Sequence, residues 1–160
     1  MKQIPLTKGK FALVDDEDYE RIILLNRKWH FHKSGYATIS TSKRINGVEK
    51  HSSVKMHRFV MNAENGQIVD HKDGDRLNNQ KSNLRFCSTI ENSRNLRKYD
   101  RNKSGYKGVS LCRNKFQSSI RVNKKQVYLG LFTCPIEAAD TYNKAAIFYF
   151  GEFANLNKIP

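Results

Sequence analysis

Apolar residues along this chain come in short blocks whose spacing switches between a period of about two and one of about 3.6, the pattern of mixed strands and helices. Tyr19, Ile22, Ile23 and Leu25 recur at helical spacing. Asp15, Asp16, Glu17 and Asp18 crowd the start of that helix, where its dipole favours negative charge. Residues 28–31 and 35–39 read as two strands around a Lys33-Ser34-Gly35 turn, and a further strand is expected over 53–56 after an Ile45-Asn46-Gly47 turn. Trp29, in the first of these strands, belongs to a core. A short helix follows over 56–61.

The next block is denser in chemistry. Ile68-Val69 is a short apolar run, so Asp70 and His71 stand at a strand end and point to opposite faces. Asp73, Gly74, Asp75, Asn78 and Asn79 are loop residues, and Leu84 and Phe86 alternate with Arg85 and Cys87 in a second strand with one face on a core. Ser88 followed by Glu91 is a capping-box signature, which starts a helix near Thr89 and puts Asn92 on its first turns. A strand, loop, strand and helix can thus gather Asp70, His71 and Asn92. Residues 94–105 are polar, basic and turn-rich, an exposed connection that would track a nucleic-acid backbone.

From Gly105 onward the period of two returns. Val109 and Leu111, then Phe116, Ser118, Ile120 and Val122, then Val127, Leu129 and Leu131 mark three strands, with Gln117, Ser119, Arg121 and Tyr128 on the opposite face. Pro135 opens a helix whose apolar side is Ala138, Ala139, Tyr142, Ala145, Ala146 and Tyr149, and Gly151 ends it.

Charge and cysteine usage narrow the function. With 160 residues the chain has room for one medium domain or two small ones, and its formal charge of +14 makes a polyanion the natural partner, nucleic acid ahead of a membrane. Cys87, Cys112 and Cys134 form no C-x-x-C pair, so a disulfide framework and a zinc knuckle are not indicated and a reducing cytoplasm is expected. No run is apolar enough to cross a membrane or to serve as a signal peptide.

Residues 70–92 resemble the HNH nuclease family, whose site is built on a ββα-metal fold. The resemblance takes His71 as the first family position, Asn83 as the middle asparagine and Asn92 as the third, held by asparagine as in phage homing endonucleases. It implies that Asp70 and Asn92 hold one divalent cation, Mg²⁺ or Mn²⁺, that His71 is the general base, and that Asn83 ties the loop together. The chemistry suits the residue types: a neutral imidazole can take a proton from water, and a hard cation on oxygen ligands stabilises phosphate and leaving oxygen. The Met56-His57-Arg58 phrase also occurs before the Asp-His pair in phage HNH proteins; His57 and Arg58 would touch the phosphate or support the fold. His30, His32 and His51 have no partner at metal-ligand spacing, and Lys43, Arg44, Lys50 and Lys55 would face phosphates.

The last third resembles the plant ethylene-response-factor DNA-binding domain, on the phrases Gly105-Tyr106-Lys107-Gly108-Val109, Tyr128-Leu129-Gly130-Leu131-Phe132 and Glu137-Ala138-Ala139-Asp140-Thr141-Tyr142. In that family the sheet enters the major groove. Carried over by position, Lys107, Lys115, Arg121 and Tyr128 would contact DNA with Arg113 close by, and Gln117 is suited to base edges. Ser110 stands where the plant proteins usually have arginine, so their target sequence is not transferred.

Together these readings give an α+β protein: an N-terminal scaffold over 1–56, an HNH unit over 57–97, a basic linker over 98–104 and a DNA-binding domain over 105–160 with a three-stranded antiparallel sheet on one helix. The expected activity is metal-dependent, homing-type hydrolysis of double-stranded DNA to a 5′-phosphate and a 3′-hydroxyl. A monomer would nick one strand and a dimer would cut both. The setting would be a phage protein in the cytoplasm of a bacterial host. A non-cleaving regulator on the same scaffold, or a nonspecific colicin-type nuclease, are the alternatives.

Overall fold

The structure, a computed structural model, describes residues 1–46, 48–94 and 102–160, and their side chains except those of Lys43, Ile45 and Arg94. Gly47 of the expected turn, the phosphate-facing role of Lys43 and the linker residues up to 101 lie outside the described residues. Helices and small antiparallel sheets are mixed along the chain, an α+β composition, in two compact units, Met1–Ser88 and Thr89–Pro160.

The first unit opens with a hairpin of β1 (Lys2–Pro5) and β2 (Phe11–Val14). The residue pattern does not announce it, because each four-residue strand offers only one or two inward positions; Ile4, Ala12 and Val14 fill them and are buried. α1 (Asp16–Leu24) follows, and its flanking acids do more than suit a helix dipole. Asp15 accepts hydrogen bonds from the Lys81 backbone N–H at 2.8 Å and from Gln80 Nε2 at 3.1 Å. Asp18, fully buried, pairs with Arg21 at 2.6 Å and with Lys81 at 3.3 Å. These contacts fasten the start of α1 to the far end of the 72–83 loop.

β3 (His30–Phe31), β4 (Ala37–Ile45) and β5 (Val48–Lys55) form an antiparallel sheet, and α2 (Met56–Val60) runs directly on from β5. β5 starts earlier than its sequence suggests, since its polar residues 49–53 alternate with nothing apolar yet pair in register with β4. β6 (Ile68–His71) and β7 (Leu84–Cys87) make a separate ribbon. Its Val69 and Leu84 join Ile4, Val14, Ile22, Trp29, Met56 and Val60 in one core. Each such buried aliphatic side chain contributes about 1.5–3 kcal/mol, so the ribbon carrying Asp70 and His71 is seated on the core of the unit. Phe86, expected on that core, is instead 46% exposed.

The second unit begins with α3 (Thr89–Arg94) and continues with β8 (Val109–Cys112), β9 (Lys115–Val122) and β10 (Lys125–Phe132), in the order β10-β9-β8. α4 (Pro135–Phe150) packs on this sheet through Tyr142, Ala146 and Phe150 against Ile120, and through Ala138 and Ala139 beside Val109. Gly108 makes the close approach possible: at φ +75° a Cβ would sit 1.9 Å from Tyr142 Cδ2. Among the described residues no helix is long and apolar enough to cross a membrane.

Candidate active site

Asp70 and His71 end β6, and the ribbon register places Arg85 opposite Asp70 and Leu84 opposite His71. Alternation along the strand therefore separates the two side chains, and each meets different surroundings. Arg85 donates from Nε at 3.2 Å and from Nη2 at 2.9 Å, both to Asp70 Oδ2. Acid and base are both buried, at 8% exposure each. A buried carboxylate held this way has a fixed orientation.

His71 lies at 4% exposure among aromatic rings. Its centroid is 5.0 Å from that of His57, on α2, and 5.9 Å from that of Tyr36, at the entry to β4; Tyr36 and His57 are 4.9 Å apart. Burial lowers the pKa of His71, outweighing the hydrogen bond with Asn79 and the charges of Asp73, Asp70 and Asp75, which raise it. The imidazole is thus neutral at physiological pH and able to accept a proton.

Asn79 helps to decide which nitrogen accepts. It is fully buried, its backbone N–H donates to Leu13 O at 2.8 Å and its Nδ2 donates to Leu77 O at 3.0 Å. The amide oxygen that remains stands 3.4 Å from His71 Nε2. With Asn79 oriented by Leu77, its oxygen favours the His71 tautomer that carries the proton on Nε2 and leaves Nδ1 basic.

Asn83 occupies the other end of the loop. Its Nδ2 donates to Asp73 Oδ1 and to Asn78 O, both at 2.9 Å, and its Oδ1 accepts from the Asp73 backbone N–H at 3.1 Å. Its own carbonyl accepts from the Lys72 N–H at 2.9 Å. Burial pushes the Asp73 carboxyl up, but hydrogen bonds from Asn78, the Asp75 backbone and Asn83 prevail and hold it below the usual range. Leu13 N–H closes the loop from outside by donating to Leu77 O at 2.8 Å. The hairpin of β1 and β2 is thereby part of the site's support.

His57 is 4% exposed, and among the described residues its Nδ1 has no hydrogen-bond partner. Burial, followed by the charges of His71, Lys55 and Arg58, lowers its pKa from 6.5 to about 3. Unfolded, His57 takes up a proton near pH 6.5; folded, it stays neutral down to about 3, so acid favours the unfolded state in that window. Urea unfolding of the protein is expected to show stability falling by about 1.4 kcal/mol per pH unit from this group below pH 6.5. The His57→Leu variant should show a shallower slope. Arg58, by contrast, turns its guanidinium to the carbonyls of Glu64, at 2.7 Å, and Gln67, and so braces the turn before β6.

Asn92 is half-buried on α3, the first element of the second unit. In the same unit Ser110 pairs with Gln117, Ser119 with Tyr128 and Arg121 with Gln126 across the sheet face turned away from Ile120 and α4. Arg113, Lys115, Arg121 and Tyr128 are exposed and Gln117 is half-exposed. Lys107 is half-buried before β8, and burial pushes its ammonium down to about 8.

The oxygen donors near His71 are a carboxylate and side-chain amides, which suit a hard divalent cation and not a thiophilic one. Among the described residues no three His, Cys, Asp or Glu side chains gather as a ligand set.

Sequence reasoning passes over Tyr36, Asn79 and Arg85. Arg85 is recoverable in principle, since antiparallel pairing of the two strands puts it opposite Asp70. Asn79 is one of two adjacent loop asparagines with nothing to distinguish it, and Tyr36 comes from a turn far away in the chain.

The end of β6 thus carries a buried neutral imidazole and, on its other face, a buried carboxylate, beside a loop cross-braced by asparagine. Residues 54–94, from the end of β5 through α3, match the family model described as HNH endonuclease. The chain is 32% identical over 158 residues to an uncharacterized HNH endonuclease of Acanthamoeba polyphaga mimivirus, an alignment covering 95% of this chain and 77% of that protein. The chain belongs to the HNH endonuclease family and is a phosphodiester-cleaving enzyme.

Proposed function

We propose that this protein is a metal-dependent DNA endonuclease of homing type that nicks one strand, directed to its site by the sheet of the second unit. The observation that carries this reading is the buried, neutral His71, held by Asn79 and adjacent in β6 to the Asp70 carboxylate, inside the matched stretch. Asp70 and Asn92 would hold one Mg²⁺ or Mn²⁺. When bound, the cation supplies charge stabilisation to the phosphate and the leaving 3′-oxygen. His71 Nδ1 takes the proton from the attacking water, and Asn79 keeps the ring in the tautomer that leaves this nitrogen basic. Asn83 holds the loop between them in shape. The products are a 5′-phosphate and a 3′-hydroxyl.

The second unit supports sequence-directed binding through a polar sheet face carrying Gln117, Arg121 and Tyr128, with Arg113 and Lys115 at the adjoining turn. Arg and Gln on such a face can hydrogen-bond base edges while Lys contacts phosphates. Lys107, partly buried, is the least suited of this set to a phosphate.

The test is conversion of supercoiled plasmid or phage genomic DNA with Mg²⁺, with Mn²⁺ and with EDTA. Open-circle product that requires metal is expected, and the metal-free protein should still shift DNA in a gel. Equal cleavage in EDTA would remove the cation from the mechanism. Tight binding with no cleavage of either DNA would leave a regulator.

A further inference from the structure

Beside the two buried histidines lies a group of residues that neither the fold nor the general-base chemistry requires. Tyr36 touches both imidazoles, and two cations from different elements converge on its ring: Lys55 Nζ at 4.6 Å from the centroid and Arg76 Cζ at 4.9 Å. Both cations are exposed at their heads, and among the described residues neither forms an ion pair with an acid. Arg76 is not simply adrift on the surface. Its Nη1 donates to Ser34 O at 2.7 Å, and its stem passes 3.4 Å from where a Gly35 Cβ would lie, which fixes the guanidinium across the turn that leads into Tyr36.

Two positive charges gathered on one aromatic ring repel each other, and ring quadrupole attraction only partly offsets this. With no acid paired to either cation among the described residues, an anion beside the ring would be attracted to both. A phosphodiester fits: Arg offers a planar fork of donors, Lys a point charge, and the centroids of the two histidines lie 4.9 and 5.9 Å from that of the ring. His57 Nδ1, buried and without a hydrogen-bond partner among the described residues, adds a polar atom in that same aromatic group.

We infer that Tyr36, Lys55 and Arg76 form a phosphate-gripping wall of the active site, in which Tyr36 sets the spacing of the two cations and the cations hold the DNA backbone against His71. This deepens the nuclease reading and rests on it. Lys55 and Arg76 are binding residues, and Tyr36 is a positioning residue that acts through them.

The experiment uses the full chain carrying the double substitution Lys55→Gln and Arg76→Gln, beside a control with the same charge loss, Lys10→Gln and Lys28→Gln, at exposed positions away from the site. Anisotropy of a labelled random-sequence duplex in EDTA, titrated at several salt concentrations, gives the slope of log affinity against log salt. Loss of two phosphate contacts should make that slope shallower by about 2. The control should leave it near the wild-type value. With Mg²⁺ on plasmid, KM should rise at least about fivefold while kcat changes little, as when binding common to ground and transition states is removed. Tyr36→Leu should reproduce much of this and Tyr36→Phe, which keeps the ring face, should restore it. If the double variant keeps the wild-type slope and KM, or the control matches its loss, the wall is disproved whether or not the enzyme cleaves. If the wild type cleaves no DNA but the slope changes as expected, the nuclease reading fails and the phosphate site stands.

Discussion

His71→Gln is expected to lower the plasmid-nicking rate by about 10²–10⁴-fold, the usual contribution of a positioned general base, with DNA binding and the unfolding midpoint in urea close to wild type. Glutamine preserves a polar side chain next to Asn79 but has no nitrogen that can accept a proton near neutral pH. The burial that keeps His71 neutral is what makes it useful, so a polar replacement that tolerates the same surroundings isolates the chemistry from the packing. His57→Gln is the informative partner. His57 shares the aromatic cluster and the low proton affinity, but it lies on α2 and has no hydrogen bond to Asn79. Its replacement should cost far less in rate. Equal losses in the two variants would mean that the imidazoles work as a pair, and a His71→Gln enzyme within tenfold of wild type would end the general-base assignment.

The contrast between those residues also marks what the sequence reveals. Asp70 and His71 are legible because a strand end followed by a turn-rich loop is a local pattern, and the helix start at Thr89 is legible because Ser88 and Glu91 stand at capping distance. The sheet and helix after Gly105 are equally plain, since turns separate long alternating runs and Pro135 and Gly151 bracket α4. What surrounds His71 is not local. Tyr36 arrives from the turn before β4, His57 from α2 and the brace on the loop from Leu13 in β2, and each depends on tertiary pairing that no spacing rule encodes. The acids before α1 show the same limit from the other side: they read as helix-dipole partners, yet Asp15 and Asp18 spend their hydrogen bonds on Gln80, Lys81 and Arg21.

Asp70→Ala should destabilise the first unit by about 3–5 kcal/mol, the cost of breaking a buried ion pair by removing one partner, as read from urea unfolding against wild type. The carboxylate receives two N–H groups of a guanidinium that is itself buried, and alanine offers neither charge nor acceptor in its place. Such a variant will also fail to cleave, but that failure alone does not separate a lost ligand from a loosened fold. Asp70→Leu combined with Arg85→Leu makes the separation. Apolar side chains of suitable volume often replace a buried ion pair without loss of stability, so the double variant should unfold nearer to wild type than Asp70→Ala does and still show no metal-dependent nicking. Asp70→Asn, which keeps the shape and one acceptor oxygen for Arg85, should lie between the two in stability. If Asp70→Asn nicks DNA at the wild-type rate at low Mg²⁺, then the carboxylate charge is not needed for the cation, and the work of Asp70 is to hold Arg85 and the end of β6 in place.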